Sequence, residues 1–337
     1  MAELRRDPYA DRWTLFASER ANRPRDAARS PATPTTPKED CPFCRGSEEK
    51  TPPEIDRIGG ADDRPSWRVR VVANKFPAVS VDALTEEGGS LFGFMAGGGR
   101  HEVIVDSFDH HRGLADLPDE HSVQVLSMLQ RRVRALFEIP SVRAVSPFKN
   151  HGAPAGASIE HSHLQVIATP ALPANLAIER RIAERYYCEN GHSLAEETGR
   201  WELGQGTRIV EAGDSGALVY CPFASRFPYQ TTIAPWPPQN SFAVSPPEAI
   251  AAAGAAFARS LRRIKNLLGD PPLNAFFHIE TRPEAAESPS AHCWRIEIIP
   301  RLTVLAGLEL GSGMHINEAL PERAAESLRA ADARSPS

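Results

Sequence analysis

The sequence predicts an α+β fold made of two copies of one unit, each an antiparallel sheet with a packed helix. Three observations carry this. The stretch ALVYCPFASRFPYQTTIAP (217–235) repeats the shape of WRVRVVANKFPAVSV (67–81): strand, break at Phe-Pro, strand. An Ala-rich helix over 246–268 matches a helix over 118–137. HCWRIEIIP (292–300) stands in the place of HSHLQVIATP (161–170), with Trp294 where the first copy has His163. We expect a first half over 1–172, a connecting helix and linker over 173–200, and a second half over 201–337.

The elements follow in order. Residues 7–16 allow a short strand pair, and Arg20 and Arg23 in RANRP form a basic cluster. Residues 27–38, with repeated Pro, Thr and Ser, read as a loop. The alternation in 67–73 predicts a strand that resumes at 78–81 after Asn74-Lys-Phe-Pro. Residues 88–100 are a Gly-rich loop and 101–105 a strand. The helix over 118–137 opens on Pro118, Asp119 and Glu120, and Val125, Leu126, Met128, Leu129, Val133, Leu136 and Phe137 recur at helical period. A strand over 142–148, a helix over 176–187, a strand over 274–278 and an amphipathic helix over 321–331 complete the reading.

Chemistry concentrates in KNHGAPAGASIEHSHLQVIATP (149–170). In a strand, residues i, i+2 and i+4 share a face, so His161, His163 and Gln165 would line one side. The loop before them carries Gly152, Gly156 and Ser158, and glycines let backbone N–H groups approach an anion. This reads as a nucleophile beside a phosphate cradle; the plain alternative is a polar strand edge with two unrelated histidines.

Composition narrows the classes. The 337 residues are 41% hydrophobic and 24% charged, as in ordinary globular chains. A net charge of −5 argues against nucleic acid. No apolar run reaches the roughly 18 residues a membrane helix needs, and MAELRRDPYADRW lacks an apolar signal core; we expect a cytoplasmic protein. The five cysteines suit a metal and free thiols better than disulfides. Cys41 and Cys44 form a CxxC of zinc-knuckle shape. Its further ligands lie among His101, His110, His111, His151, His161 and His163, and the residues alone do not choose.

The chain resembles the galactose-1-phosphate uridylyltransferases and their relatives the plant ADP-glucose phosphorylases, both of the histidine-triad superfamily. The likeness runs through RRDPYADRWTLFASERANRP, CPFC, RVVANKFPA, SFDHHRG, FKNHGAPAGASIEHSHLQ and GLELGSGMHINEALPE, nearly the whole chain. It implies two tandem histidine-triad-like half-barrels and a ping-pong nucleotidyl transfer. It also implies one structural zinc on Cys41, Cys44, His110 and His161, a nucleotidylated His163, and Gln165 beside the phosphorus. Nucleotide and phosphate contacts map to Arg20, Arg23, Asn74, Asn150 and Ser158. Hydrolases of the superfamily have a histidine where this chain has Gln165. An amide cannot shuttle a proton, so transfer is favoured over hydrolysis.

Departures qualify the likeness. One form of the family's second metal site uses a further CxxC, but here 190–196 has no cysteine, and the histidine positions read Ser241 and Cys293. The other form would keep Glu179 and His278 but has Arg295 and Glu297 for its paired histidines. We expect no second metal. The lysine and glutamine that grip sugar phosphate in known uridylyltransferases are not evident in 307–320. The resemblance implies a nucleotide sugar and a sugar 1-phosphate or phosphate as partners, and a possible homodimer. We expect UDP-sugar and hexose 1-phosphate, the uridylyltransferases being the commoner branch; ADP-glucose phosphorolysis and a non-catalytic, zinc-stabilised nucleotide-binding protein are the alternatives.

Overall fold

A computed structural model describes residues 2–19, 37–60, 66–80, 87–88, 91–282 and 291–331. The chain enters through β1 (Glu3–Arg6) and β2 (Trp13–Phe16), then β3 (Glu54–Ile58), β4 (Val69–Ala73), the short pair β5 (Glu87–Gly88) and β6 (Phe94–Met95), and β7 (Arg100–Val105). Helix α1 (Asp119–Phe137) leads to β8 (Ala144–His151) and β9 (His163–Thr169). Helices α2 (Ala174–Asn190) and α3 (Leu194–Gln205) follow, then β10 (Ile209–Glu211), β11 (Ala217–Tyr220), β12 (Thr231–Pro235), α4 (Pro247–Leu268), β13 (Leu273–His278) and β14 (Arg295–Pro300). The end is α5 (Gly307–Ser312), β15 (His315–Asn317) and α6 (Pro321–Ala330).

Among the described residues, ten strands form one sheet in the order β10-β11-β12-β14-β13-β8-β9-β7-β4-β3. Every pairing in it is antiparallel. From either outer edge inward, each set of five runs first, second, third, fifth, fourth in chain order, and its helix, α1 or α4, joins the third strand to the fourth. The repeated order read from the sequence is thus present as topology. The two sets do not form separate sheets: β8 and β13 pair along His151↔Leu273 to Phe148↔Phe276.

Both helices cover one face of the sheet, and the main core lies between them and strands of both sets, from Ile104, Leu164 and Val166 to Ile233, Ile296 and Ile298. The alanines of α4 let it pack closely on α1; a Cβ on Gly254 would lie 2.8 Å from Val123 Cα. On the opposite face, Cys41, Phe43, Cys44 and Trp67 pack against Val72, Val103 and Val105.

Several sequence expectations change. Trp294 does not take the place of His163: it faces the helix-covered core as Leu164 does, 5.0 Å from Phe242, with its indole N–H donating to Ser245 Oγ at 2.7 Å. The strand expected over 78–81 is reduced, among the described residues, to a bridge between Ser80 and Gly98. The pair expected in 7–16 is displaced, with Glu3–Arg6 on Trp13–Phe16. The connecting segment holds two helices rather than one: α3 was missed because its few apolar residues make no stripe, although Ser193 caps it by accepting from Glu196 N–H. Arg20, Arg23 and most of the loop read over 27–38 lie outside the described residues.

Candidate active site and metal centre

The CPFC turn lies against β7 and the start of β9, which brings Cys41, Cys44, His110 and His161 together, all buried. Their ligand atoms lie within 4.8 Å of one another. Cys44 Sγ is 3.2 Å from His110 Nδ1 and 3.6 Å from His161 Nδ1, and Cys41 Sγ is 3.6 Å from His161 Nδ1. A tetrahedral ion with Zn–S near 2.3 Å and Zn–N near 2.0–2.1 Å needs edges of about 3.3–3.8 Å, and these three sulfur–nitrogen spacings lie close to that range. His161 Nε2–H donates to Ser107 O at 2.9 Å, which leaves Nδ1 with the lone pair a metal requires. Burial and the adjacent Cys41 thiol push Cys44 up to about 12, so without a cation its thiol keeps its proton. Of the six candidate histidines, only His110 and His161 join the cysteines among the described residues. His111 stacks edge-on to His110, His151 pairs with Asp270 at 3.1 Å, and His101 lies against Gln165.

Strand β9 begins at His163, and His161 occupies the bend before it. His163 pairs across with Val105 and Gln165 with Val103, so both point to the CPFC side of the sheet. Phe43 meets the edges of both rings, at 6.2 Å from His161 and 5.3 Å from His163. His163 Nδ1 lies 2.8 Å from His161 O. A carbonyl only accepts, so Nδ1 carries the proton and Nε2 carries the lone pair. Burial lowers the His163 pKa below its usual value, which keeps the ring neutral at pH 7. The result is a fixed tautomer with one nucleophilic nitrogen.

A buried lysine that sequence reasoning passed over ties these strands. Lys149 Nζ donates to Asp106 Oδ2 at 2.7 Å, Ser162 Oγ at 2.8 Å and His163 O at 3.2 Å. It therefore joins the end of β7, β8 and the start of β9. Its signal was a lysine directly after the run that ends at Phe148 and within the same strand, since a buried cation demands a partner.

Across the glycine loop, Gly152 and Gly156 have φ of 78° and 90°, where a side chain would be strained. A Cβ on Gly152 would also meet Pro272 at 3.2 Å. Asn274 of β13 donates to Ala155 O and Asn150 Oδ1, both at 2.8 Å, and Arg301 donates to Asn274 Oδ1 at 3.0 Å. The second half thus clamps the loop of the first. Asn150 Nδ2 also reaches Gly156 O at 3.4 Å, and Ser158 is exposed on the same loop. Asn74 sits beside Gln165 through His101.

On the same face of the second half, Glu179, His278, Arg295 and Glu297 meet. His278 Nδ1 is 3.1 Å from Glu179 and its Nε2 3.2 Å from Glu297; Arg295 is 3.0 Å from Glu179, and Arg226 is 2.7 Å from Glu297. Burial opposes ionisation of both carboxyls, but Arg295 and His278 at Glu179, and Arg226 and His278 at Glu297, hold them well below the usual carboxylate range.

A doubled antiparallel sheet, a Cys2His2 cluster and a tautomer-fixed histidine beside it are thus brought together in one chain. The chain belongs to the galactose-1-phosphate uridyl transferase family, whose N-terminal domain matches residues 1–173. ADP-glucose phosphorylase of Arabidopsis thaliana is 31% identical over 332 residues, 97% of this chain and 92% of its own length. Galactose-1-phosphate uridylyltransferase of Thermotoga maritima is 28% identical over 239 residues, 70% of this chain and 67% of its own. The crystal structure of the Arabidopsis phosphorylase with bound ADP-glucose superposes with a TM-score of 0.83 at 28% identity, covering 98% of this chain and 100% of that one.

Proposed function

We propose that this chain transfers a nucleoside monophosphate by ping-pong through His163, and that its substrates are ADP-glucose and inorganic phosphate. The transfer reading rests on one observation: the bond from His163 Nδ1–H to His161 O, which leaves Nε2 as a neutral nucleophile. In the first step Nε2 attacks the α-phosphorus of the nucleotide sugar. The bond from that phosphorus to the glucose 1-phosphate oxygen breaks, and glucose 1-phosphate leaves. In the second step a phosphate oxygen attacks the same phosphorus, the N–P bond breaks, ADP leaves and His163 returns. Gln165 donates its amide N–H to a phosphoryl oxygen, where negative charge builds in both steps. Asn74, Asn150 and Ser158, with Arg20 and Arg23, contact nucleotide and phosphates. Cys41, Cys44, His110 and His161 hold one zinc, which is structural because all four positions are protein ligands. What this site does for the chemistry is pin the turn before β9, and with it the His161 carbonyl that fixes His163.

The choice of ADP-glucose reverses the expectation of a UDP-sugar. It is supported by the extent of the likeness: the phosphorylase match spans both halves, whereas the Thermotoga uridylyltransferase match covers 70% of the chain. The test is intact-protein mass after incubation with ADP-glucose or UDP-glucose and no acceptor. An AMP adduct that phosphate discharges as ADP is the expected result. A UMP adduct that hexose 1-phosphate discharges would return the assignment to the uridylyltransferases.

A further inference from the structure

We propose that His101 is a positioning residue that sets the orientation of the Gln165 carboxamide, and through it the hydrogen bond offered to the reacting phosphoryl group. The inference rests on the nucleotidyl-His163 reading and deepens it.

The argument is one of donors and acceptors. The backbone N–H of Ala78 reaches His101 Nδ1 at 3.2 Å, and a backbone N–H can only donate. Nδ1 is therefore the acceptor and the proton of the neutral ring sits on Nε2. Burial keeps the ring neutral by lowering its pKa. Nε2 lies 2.9 Å from Gln165 Oε1, so His101 donates and Gln165 must present its oxygen to His101. Its NH2 is then turned to the other side. Gln165 shares its strand face with His163, two residues along β9, and that is where a phosphorus bonded to His163 would lie. Without His101 the amide could flip, and a flip would aim a carbonyl oxygen at phosphoryl oxygens.

Asn74 is fixed by the same logic. Its Oδ1 accepts from Phe76 N–H at 2.8 Å. Its Nδ2 lies 3.1 Å from His101 Nε2, but with the proton on Nε2 that contact is not a hydrogen bond, and the Phe76 N–H alone sets the Asn74 amide. The polar row is assembled from three segments: His101 lies on β7, Gln165 on β9, and the Asn74–Ala78 turn follows β4. His101 itself is buried behind the row, which makes it a support rather than a contact of substrate.

A double-mutant cycle tests this. Single-turnover loading by ADP-glucose is measured for the wild type, His101→Ala, Gln165→Ala and the pair, with metal content and melting temperature alongside. His101→Ala should slow loading about 10- to 100-fold, the size expected when a catalytic group is misaimed. Its KM should change little. In the Gln165→Ala background the same substitution should cost less than about twofold, because residues acting through one group are not additive. His101→Gln, whose amide nitrogen can stand near the position of Nε2, should recover most of the rate. Multiplicative effects in the cycle, or a His101→Gln as slow as His101→Ala with metal retained, would overturn the inference. A wild-type chain that forms no adduct with either nucleotide sugar would overturn the nucleotidyl-histidine reading on which it stands.

Discussion

The sheet face opposite α1 and α4 carries two side-chain clusters that are held together by different means. In the first half Cys41, Cys44, His110 and His161 are all of types that can ligate a metal and bring no cation of their own. In the second half Glu179, Glu297 and His278 are joined by Arg295, and Arg226 closes the set. The rows are continuous: Val103 pairs with Gln165, Gln165 with Phe148, Phe148 with Phe276 and Phe276 with Glu297. The difference is one of charge supply. A thiol pair in a buried site ionises when a cation arrives from outside, whereas the second cluster carries its cation on Arg295. The proposed nucleophile His163 sits beside the Cys2His2 cluster, while the ion-pair cluster buttresses the half that clamps the glycine loop through Asn274.

The largest expected effect separates the two clusters directly. Structural zinc sites contribute on the order of 10 kcal/mol of binding free energy to folding. Strong chelation, or Cys41→Ser, should release about one metal per chain and lower the melting temperature steeply. Arg295 and its partners should then still be paired, because their own opposite charges hold them together. Metal analysis and calorimetry check this; two metals per chain would break the comparison, because the second cluster would then be binding one too.

The next effect concerns chemistry. His163→Ala should cut loading by at least about 10⁴-fold, as losing a covalent nucleophile does. Metal content should stay intact, because His163 Nδ1 is engaged by His161 O rather than by the cysteines. His161→Ala should show the reverse pattern, with metal and stability lost first. Two histidines separated by one residue would thus give opposite phenotypes, and a His163 variant that loses metal would merge them into one site. With the His163 pKa lowered, the wild-type loading rate should also stay flat from pH 8 to below pH 6.5 before it falls.

Much of this was legible in the chain. HSHLQ put His161, His163 and Gln165 on one strand face; His163 and Gln165 do share it in β9, whereas His161 lies in the bend before the strand. The repeated strand–helix–strand pattern agrees with the matching strand order of the two halves. The donor set for the metal was not legible from spacing, because His110 lies 66 residues from the cysteine it approaches most closely. Its choice over His101 came from the resemblance. Nor was the role of His101, which depends on a backbone N–H at Ala78 arriving from the turn after β4. The placing of Trp294 erred by one residue, enough to turn a side chain to the opposite face of a strand. The joining of the halves through β8 and β13 is a pairing across more than a hundred residues, and local pattern does not encode it.

A smaller effect probes the second cluster alone. Arg295→Met removes the shared cation and leaves Glu179 buried with only His278. Breaking a buried pair by deleting one partner costs about 3–5 kcal/mol. Denaturant midpoints should fall accordingly, with the metal still bound and His163 still loaded at a rate within about tenfold of wild type, since uncoupled sites far apart act independently. Metal loss in this variant would show that the two clusters form one unit.

The smallest effect is one of pH, and its sign differs between the clusters. Burial lowers the His278 pKa, but Glu179 and Glu297 overcome this and raise it above 6.5. The charged ring is then favoured by folding. Its contribution is fully present below pH 6.5 and is lost as pH rises through the raised folded value. Glu179 and Glu297, held below the usual range, contribute stability that is lost only as pH falls through their depressed values, well into acid. The metal cluster runs the other way from His278: protons compete with the metal for thiols and imidazoles, so it weakens as pH falls. Wild type should therefore lose stability through His278 as pH rises above about 6.5 and through its raised folded value. His278→Gln should flatten that limb while leaving the acid limb, which belongs to the carboxylates and the metal ligands. Urea midpoints measured across the range decide it. If His278→Gln keeps the alkaline slope of the wild type, the imidazole is not a charged member of the cluster, and Arg295 and Arg226 balance the two carboxylates.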